Sequence, residues 1–313
     1  MPNPRIAVIG AGAFGRNHVR VLQQSEHAEL SGVLDLDAGV AASLGCPSFQ
    51  TLEEVASSSD AAVVATPTVT HADIGCRLME LGVDVLIEKP LAHDPAAGRR
   101  LLETADRFGK VLQVGHLERF NPAVVAVESA VTQPLFFEIH RMSMPGPRSL
   151  DVDVVLDLMI HDIDIVLSLT RQMPDEIRAA GISILSPKVD IANVRLQFPG
   201  GCIANLTASR VSTERIRKLR LFQPHEYISL DYSRQDAVRF HVDPPMKIDF
   251  KPLSVAKEEP LRLELEGFIE CLKTRQKPRV TGEQALAALD VAFGILAKIE
   301  EHSRVVARAL GSG

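Results

Sequence analysis

Apolar residues in the first third of the chain fall into short solid runs, separated by longer stretches in which they recur every three or four positions. The runs at 6–9, 29–35, 61–65, 83–87 and 111–114 predict strands, and the stretches 13–24, 52–57, 68–81 and 95–108 predict helices. Strands that alternate with helices predict a parallel sheet covered on both faces, a doubly wound α/β domain. Ligands of such sheets sit beyond the carboxyl ends of the strands. The segments there are Thr66-Pro67, Glu88-Lys89-Pro90 and Gly115-His116.

The pattern changes at Asn121-Pro122. A helix over 123–131 and a strand over 135–142 come first, followed by a Pro/Gly-rich loop at 143–148 and a long apolar helix over 152–169. Strand-like runs then succeed one another at 180–185, 193–198, 202–209, 218–222, 227–232 and 237–242. Pro199-Gly200-Gly201 joins the second and third as a hairpin. Consecutive strands without helices between them predict a mainly antiparallel open sheet, hence an α+β second domain. Two helices close the chain. The first carries Leu261, Leu265, Phe268, Ile269 and Leu272 at helical spacing, and the second opens with Thr281 and Gln284 in capping-box spacing. The expected domains are 1–117 and 118–313, with the terminal helix free to pack back on the first.

Composition narrows the function classes. At 313 residues the chain has enough length for a sizeable core in each of two domains. A net charge of −6 gives no reason to expect nucleic acid or an anionic membrane surface as partner. No segment is long and apolar enough to span a bilayer, and the first strand begins so near Met1 that no room for a signal peptide is expected. Cys46, Cys76, Cys202 and Cys271 are scattered, with no C-x-x-C pair and no metal spacing. Idle thiols in a reducing compartment, the cytoplasm, are expected, and no metal.

Chemistry enters with the turn after the first strand. Gly10, Gly12 and Gly15 follow it in G-x-G-x-x-G spacing, with Ala13 and Phe14 inside the turn and a helix running on from it. The first glycine allows the tight turn, the second lets the backbone approach a pyrophosphate, and the third lets helix and strand pack closely. The helix N-terminus presents free N–H groups and partial positive charge to the phosphates. Asp35 ends the next strand, twenty residues after Gly15, where a carboxylate hydrogen-bonds an adenosine ribose. These features predict a Rossmann nucleotide-binding domain. Asp35 would repel a 2′-phosphate, and Leu36 rather than Arg follows it, so NAD is expected over NADP.

The helix at 152–169 is apolar around most of its circumference, yet Asp157, His161, Asp164 and Ser168 recur at i, i+4, i+7 and i+11. A buried unpaired charge is too costly to persist, so this stripe either pairs internally, as a structural Asp–His pair, or faces a polar cleft. Lys89 follows a strand directly, at the sheet end where a nicotinamide ring would lie; alone it reads as a surface lysine in a solvated loop.

Together, Gly10-Ala-Gly-Ala-Phe-Gly15, Ala65-Thr-Pro-Thr-Val-Thr-His71, Glu88-Lys-Pro90 and Asp157-x-x-x-His161 resemble the glucose-fructose oxidoreductase / inositol dehydrogenase (Gfo/Idh/MocA) family over essentially the whole chain. Met159 departs from the glycine many members have in D-x-G-x-H. The resemblance implies an NAD(P)-dependent sugar or polyol dehydrogenase. Lys89 and His161 would flank the substrate carbinol, Asp157 would steady His161, and Thr66, Pro67, His71 and Glu88 would line the nicotinamide side of the cofactor. The segments Gly115–Pro122, Asp157–Asp164 and Glu226–Tyr232 are most similar to the branch of UDP-N-acetylglucosamine 3-dehydrogenases, which implies a nucleotide-sugar substrate and a homo-oligomeric enzyme. His116, Arg119 and Asn121 are expected substrate contacts. Arg210, Arg215, Arg217, Lys218 and Arg220 could meet a diphosphate or form a solvated strand face. A free polyol or hexose is the alternative substrate, and a nicotinamide-binding regulator without turnover is the alternative class. The dehydrogenase expectation requires Lys89 and His161 to converge over the reactive face of the dinucleotide.

Overall fold

The computed structural model describes residues 2–146, 152–243, 247–309 and 311. The first stretch alternates as its apolar runs predict: β1 (Arg5–Ile9), α1 (Gly15–Gln23), β2 (Glu29–Leu34), α2 (Ala38–Ala42), β3 (Ser48–Phe49), α3 (Leu52–Ser58), β4 (Ala61–Val64), α4 (His71–Glu80), β5 (Asp84–Glu88), α5 (Pro95–Phe108) and β6 (Leu112–Gly115). The six strands form one sheet in the order β3-β2-β1-β4-β5-β6, with every pairing parallel. The reversal of strand order falls between β1 and β4, the switch point where open α/β sheets bind ligands. Local signals explain the sharp helix ends. Asp94 caps α5 by accepting from the Ala97 N–H at 2.7 Å, Pro95 occupies its first turn, and Gly109 ends it in the left-handed region. The short α2 and β3 were not legible in the pattern, being too brief to show a period.

The second stretch holds α6 (Pro122–Ala130), β7 (Phe136–Met142), a π-helical turn (Val155–Met159), α7 (Ile160–Thr170), β8 (Glu176–Ile182), β9 (Ile191–Gln197), β10 (Ile203–Ser209), β11 (Ile216–Gln223), β12 (Glu226–Asp231), β13 (Asp236–Asp243) and β14 (Lys247–Pro252). Positions 147 and 148 of the Pro/Gly-rich loop lie outside the described residues. The sheet runs β14-β13-β12-β11-β7-β10-β9-β8. Its pairings are antiparallel except that of β7 with β10, and the hairpin joining β9 and β10 turns on Gly200 and Gly201, both at positive φ. Both edges depart from the sequence expectation. β8 starts four residues before the run at 180–185, and β14 was not foreseen. β8 is largely half-exposed and the described side chains of β14 are exposed, so neither edge carries the apolar run of a buried strand.

Two helices end the chain, α8 (Pro260–Thr274) and α9 (Gly282–Ala309). The predicted capping box opens α9: the Gln284 N–H donates to Thr281 Oγ1 at 3.3 Å, and the Thr281 N–H to Gln284 Oε1 at 3.2 Å. The chain divides into two compact units, residues 1–120 with 259–286, and residues 121–258 with 287–313. The segment 259–286 thus belongs with the nucleotide-binding sheet although it is remote in sequence. Leu265, Phe268, Ile269 and Cys271 of α8 share one buried cluster with Val19, Val21 and Leu22 of α1 and with Ile6 and Val8 of β1.

Candidate functional site

In the first unit, the glycine turn has the geometry its spacing predicts. Gly10 has φ +86°, and a Cβ there would lie 2.8 Å from the Ala65 carbonyl oxygen at the end of β4. A Cβ on Gly15 would lie 1.8 Å from the Gly10 carbonyl oxygen, so only glycine lets α1 approach β1 this closely. At Gly12 a Cβ would meet nothing within 4 Å. Among the described residues the space in front of Gly12 is open and no side chain caps the N-terminus of α1, and Ala13 and Phe14 are exposed. A dinucleotide pyrophosphate fits this cradle, which a side chain at position 12 would fill.

Asp35 stands at the end of β2 and braces the same turn. Its Oδ2 accepts from the Ala11 N–H at 2.6 Å and its Oδ1 from the Asp37 N–H at 2.9 Å. A carboxylate has about four lone-pair sites, so capacity for a ribose hydroxyl remains. Beyond β4, Thr66 and Pro67 form the rim of the turn, where Thr70 Oγ1 donates to Thr66 Oγ1 at 2.8 Å. His71 was expected to line the cofactor, but its ring is almost wholly buried. Nε2 lies 2.9 Å from the Thr66 oxygen and Nδ1 lies 3.0 Å from the Pro90 oxygen. Burial pushes its pKa down, opposed in part by those hydrogen bonds. His71 ties together the loops that follow β4 and β5, so it supports the rim without facing outward.

Glu88 ends β5, and Lys89 follows it, half-buried, before a cis peptide bond to Pro90. Glu88 Oε1 lies 2.7 Å from Nε2 of His18, a fully buried residue of α1, and Oε2 accepts from the Lys89 N–H at 3.2 Å. Burial alone would raise the Glu88 carboxyl; the His18 hydrogen bond, the charges of His18 and Lys89 and the Lys89 N–H outweigh it and hold the group ionised. Glu264 of α8 completes a buried cluster. One carboxylate oxygen of each glutamate and one His18 ring nitrogen all lie within 4.8 Å of one another. Neither His18 nor Glu264 was singled out from sequence, although signals existed. His18 sits three residues past the third glycine, on the inward face of α1, and Glu264 interrupts the apolar stripe of α8 between Leu261 and Phe268.

The expected substrate contacts divide differently. His116 is fully buried and Arg119 nearly so, and the Arg119 carbonyl accepts from Arg279 Nε at 2.7 Å. Asn121 was expected to touch substrate but serves as the N-cap of α6. Its Oδ1 accepts from the Ala123 N–H at 3.1 Å, its Nδ2 donates to the Tyr232 oxygen at 3.1 Å, and it is 2% exposed. Each end of that amide makes one hydrogen bond within the fold.

In the second unit, Asp157 lies within the π-helical turn and His161 in the first turn of α7, both half-buried. A π-turn widens the helix by one residue and is frequent at functional sites. Asp164 on the same stripe is buried, and Ser168 returns its hydroxyl to the Ile165 oxygen at 2.8 Å. The strongest electrostatic feature nearby was invisible in the stripe. Asp162 accepts two hydrogen bonds of 2.8 Å from Arg141 of β7, both side chains are 2% exposed, and the guanidinium lies 4.9 Å from the Tyr232 ring centroid. This buried pair anchors α7 to the sheet. The basic group at 210–220 does not form one patch. Arg210 is buried, paired with Asp190 at 3.5 Å and bonded to the Val152 oxygen, while Arg220 pairs with Glu138 at 2.9 Å across the exposed sheet face.

Comparison with known proteins places the chain in a family. Residues 4–116 match the family model of the NAD-binding Rossmann fold of the Gfo/Idh/MocA oxidoreductases, and residues 123–222 match the model of that family's C-terminal domain. The UDP-N-acetylglucosamine 3-dehydrogenase of Acidithiobacillus ferrooxidans is 34% identical over 301 residues, covering 92% of this chain and 96% of its own. A solved structure of that enzyme superposes with a TM-score of 0.91 at 32% identity, covering 96% and 99% of the two chains. The inositol 2-dehydrogenase of Rhizobium meliloti is 25% identical over 96% of this chain and 98% of its own. The glycine cradle, the Glu88-Lys89-Pro90 segment and the Asp157/His161 turn thus sit in a chain that belongs to the Gfo/Idh/MocA family of NAD-dependent oxidoreductases.

Proposed function

We propose that this enzyme oxidises the C3 hydroxyl of UDP-N-acetylglucosamine to a ketone with NAD, the first step towards a 3-amino sugar for a surface lipid or glycan. The observation that carries this reading is the near full-length similarity to the Acidithiobacillus ferrooxidans enzyme of that name, which exceeds in identity the similarity to the inositol 2-dehydrogenase. NAD would be held by the Gly10, Gly12 and Gly15 turn with Ala13 and Phe14, by Asp35 at the ribose, and by Thr66, Pro67, Glu88 and Lys89 at the nicotinamide. When bound, NAD supplies a hydride acceptor. His161, neutral, removes the hydroxyl proton, Asp157 fixes the orientation of its ring, and Lys89 donates a hydrogen bond to the oxygen as negative charge develops on it. His116 and Arg119 belong to the substrate side as supports of the segment that follows β6.

The protein is proposed to work in the cytoplasm as a homo-oligomer. Supporting assembly, Phe136, Phe222, Tyr227, Phe240 and Phe250 form a ladder across five strands, with successive ring centroids 4.9 to 5.8 Å apart, and Phe250 is 57% exposed. The test is to incubate the purified enzyme with NAD and a panel of UDP-sugars, free hexoses and inositols while following NADH. Turnover of UDP-N-acetylglucosamine ahead of the others is expected; preference for a free inositol or hexose would replace the substrate, and a protein that binds NAD but turns over nothing would be a regulator.

A further inference from the structure

The least explained charge in the first unit is Glu264. It is fully buried, and neither of its carboxyl oxygens has a hydrogen-bond partner among the described residues. Its neighbours are polar. Gln113 of β6 donates from Nε2 to the Glu264 main-chain oxygen at 3.2 Å, while Gln113 Oε1 and His18 Nδ1 are buried without partners there. Glu88 already takes the His18 hydrogen bond and the Lys89 N–H. Two carboxylates this close in a buried place do not both ionise, and the one with more donors keeps the charge.

We propose that Glu264 is a positioning residue for the Glu88–Lys89 end of β5, standing as a neutral carboxylic acid that gives this cluster a hydrogen-bond donor and leaves Glu88 its single negative charge. In that state the Glu88 oxygens stay on His18 and on the Lys89 main chain, which fixes where the Lys89 side chain starts. A second negative charge at position 264 would repel Glu88 and pull His18 away from it. The elements packed on α8 carry His18 and Arg20 from α1, Glu88 with Lys89 after β5, and His116, Glu118 and Arg119 after β6. Burial first, and then the charge of Glu88, favour the protonated form of Glu264. The link to catalysis rests on the role proposed above for Lys89; the protonation state does not.

Glu264→Gln keeps the shape and the neutral donor, whereas Glu264→Leu keeps the bulk and removes the donor. A group that stays protonated in the folded chain but ionises in the unfolded one opposes folding increasingly as pH rises above its ordinary value of 4.5. The melting temperature of E264Q relative to the parent should therefore climb by roughly 3 °C per pH unit from about pH 5 upward, until the buried acid ionises. The parent should show the infrared carbonyl band of a protonated acid at about pH 7.5, absent in E264Q. In turnover, E264Q should stay within about threefold of the parent with an unchanged pH profile, and E264L should lose roughly tenfold in kcat, the equivalent of one hydrogen bond. A flat or falling difference in melting temperature, a missing carbonyl band, or equal losses in the two variants overturns the proposal. So does one divalent ion per chain in the purified protein that disappears in E264Q. The melting and infrared measurements need no substrate, so they stand or fall separately from the proposed reaction.

Discussion

Gly12 and Gly15 lie three residues apart in one turn, yet an added methyl group meets different surroundings at each. At position 15 it would sit 1.8 Å from the Gly10 carbonyl oxygen. Relieving that contact means moving α1 away from β1 by more than an ångström, through a buried interface that includes Val8 and Val19. Overpacking of this kind costs about 1–3 kcal/mol, and each kcal/mol lowers the melting temperature by about 2–4 °C in a domain of this size. At position 12 the methyl group would meet nothing within 4 Å, and the backbone there is not at positive φ. Gly12→Ala should leave the fold intact or stabilise it by about 0.4–1 kcal/mol through the unfolded state. The same methyl group would occupy the space the pyrophosphate needs. Loss of its hydrogen bonds, about 1.5–3 kcal/mol for a charged acceptor, corresponds to a dissociation constant for NAD raised by about 10–100-fold. Thermal unfolding without NAD and titration with NAD separate the two effects. A Gly12→Ala variant that folds and binds NAD like the parent, or a Gly15→Ala variant that melts within a degree of it, would refute the steric reasoning for the turn.

Lys89→Ala and His161→Ala should each lower NADH formation by about 10²–10⁴-fold with NAD binding nearly unchanged; near-normal turnover in both removes the catalytic assignment. Asp35→Ala should weaken NAD by about 10–100-fold and relax discrimination against NADP, because it removes both the ribose acceptor and the brace on the Ala11 N–H; unchanged affinity places the ribose acid elsewhere. Arg141→Leu leaves Asp162 buried without its bidentate partner and should cost about 3–5 kcal/mol in chemical denaturation, and a cost under about 1 kcal/mol would mean that water reaches the pair.

The sequence by itself determined the parallel sheet, because strands buried on both faces must be apolar at every position, as Ala61–Val64 and Ile6–Ile9 are. It also determined the glycine turn, since steric limits on φ and on close approach act over a few adjacent residues, and the helix ends, where Asp94, Gly109, Thr281 and Gln284 act within one turn of themselves. The edge strands β8 and β14 and the short α2 and β3 were less legible, because partial exposure or brevity erases periodicity. Tertiary structure alone decided which distant groups each polar side chain meets. Asn121 and His71 read as ligand contacts in the sequence, and the structure adds the long-range hydrogen bonds to Tyr232 and Pro90 that tie them into the fold. It also decided that α8 returns to the first sheet and brings Glu264 to His18 and Glu88, residues more than 170 positions away. Burial and pairing between distant segments set the protonation of such groups, and no local pattern carries that information.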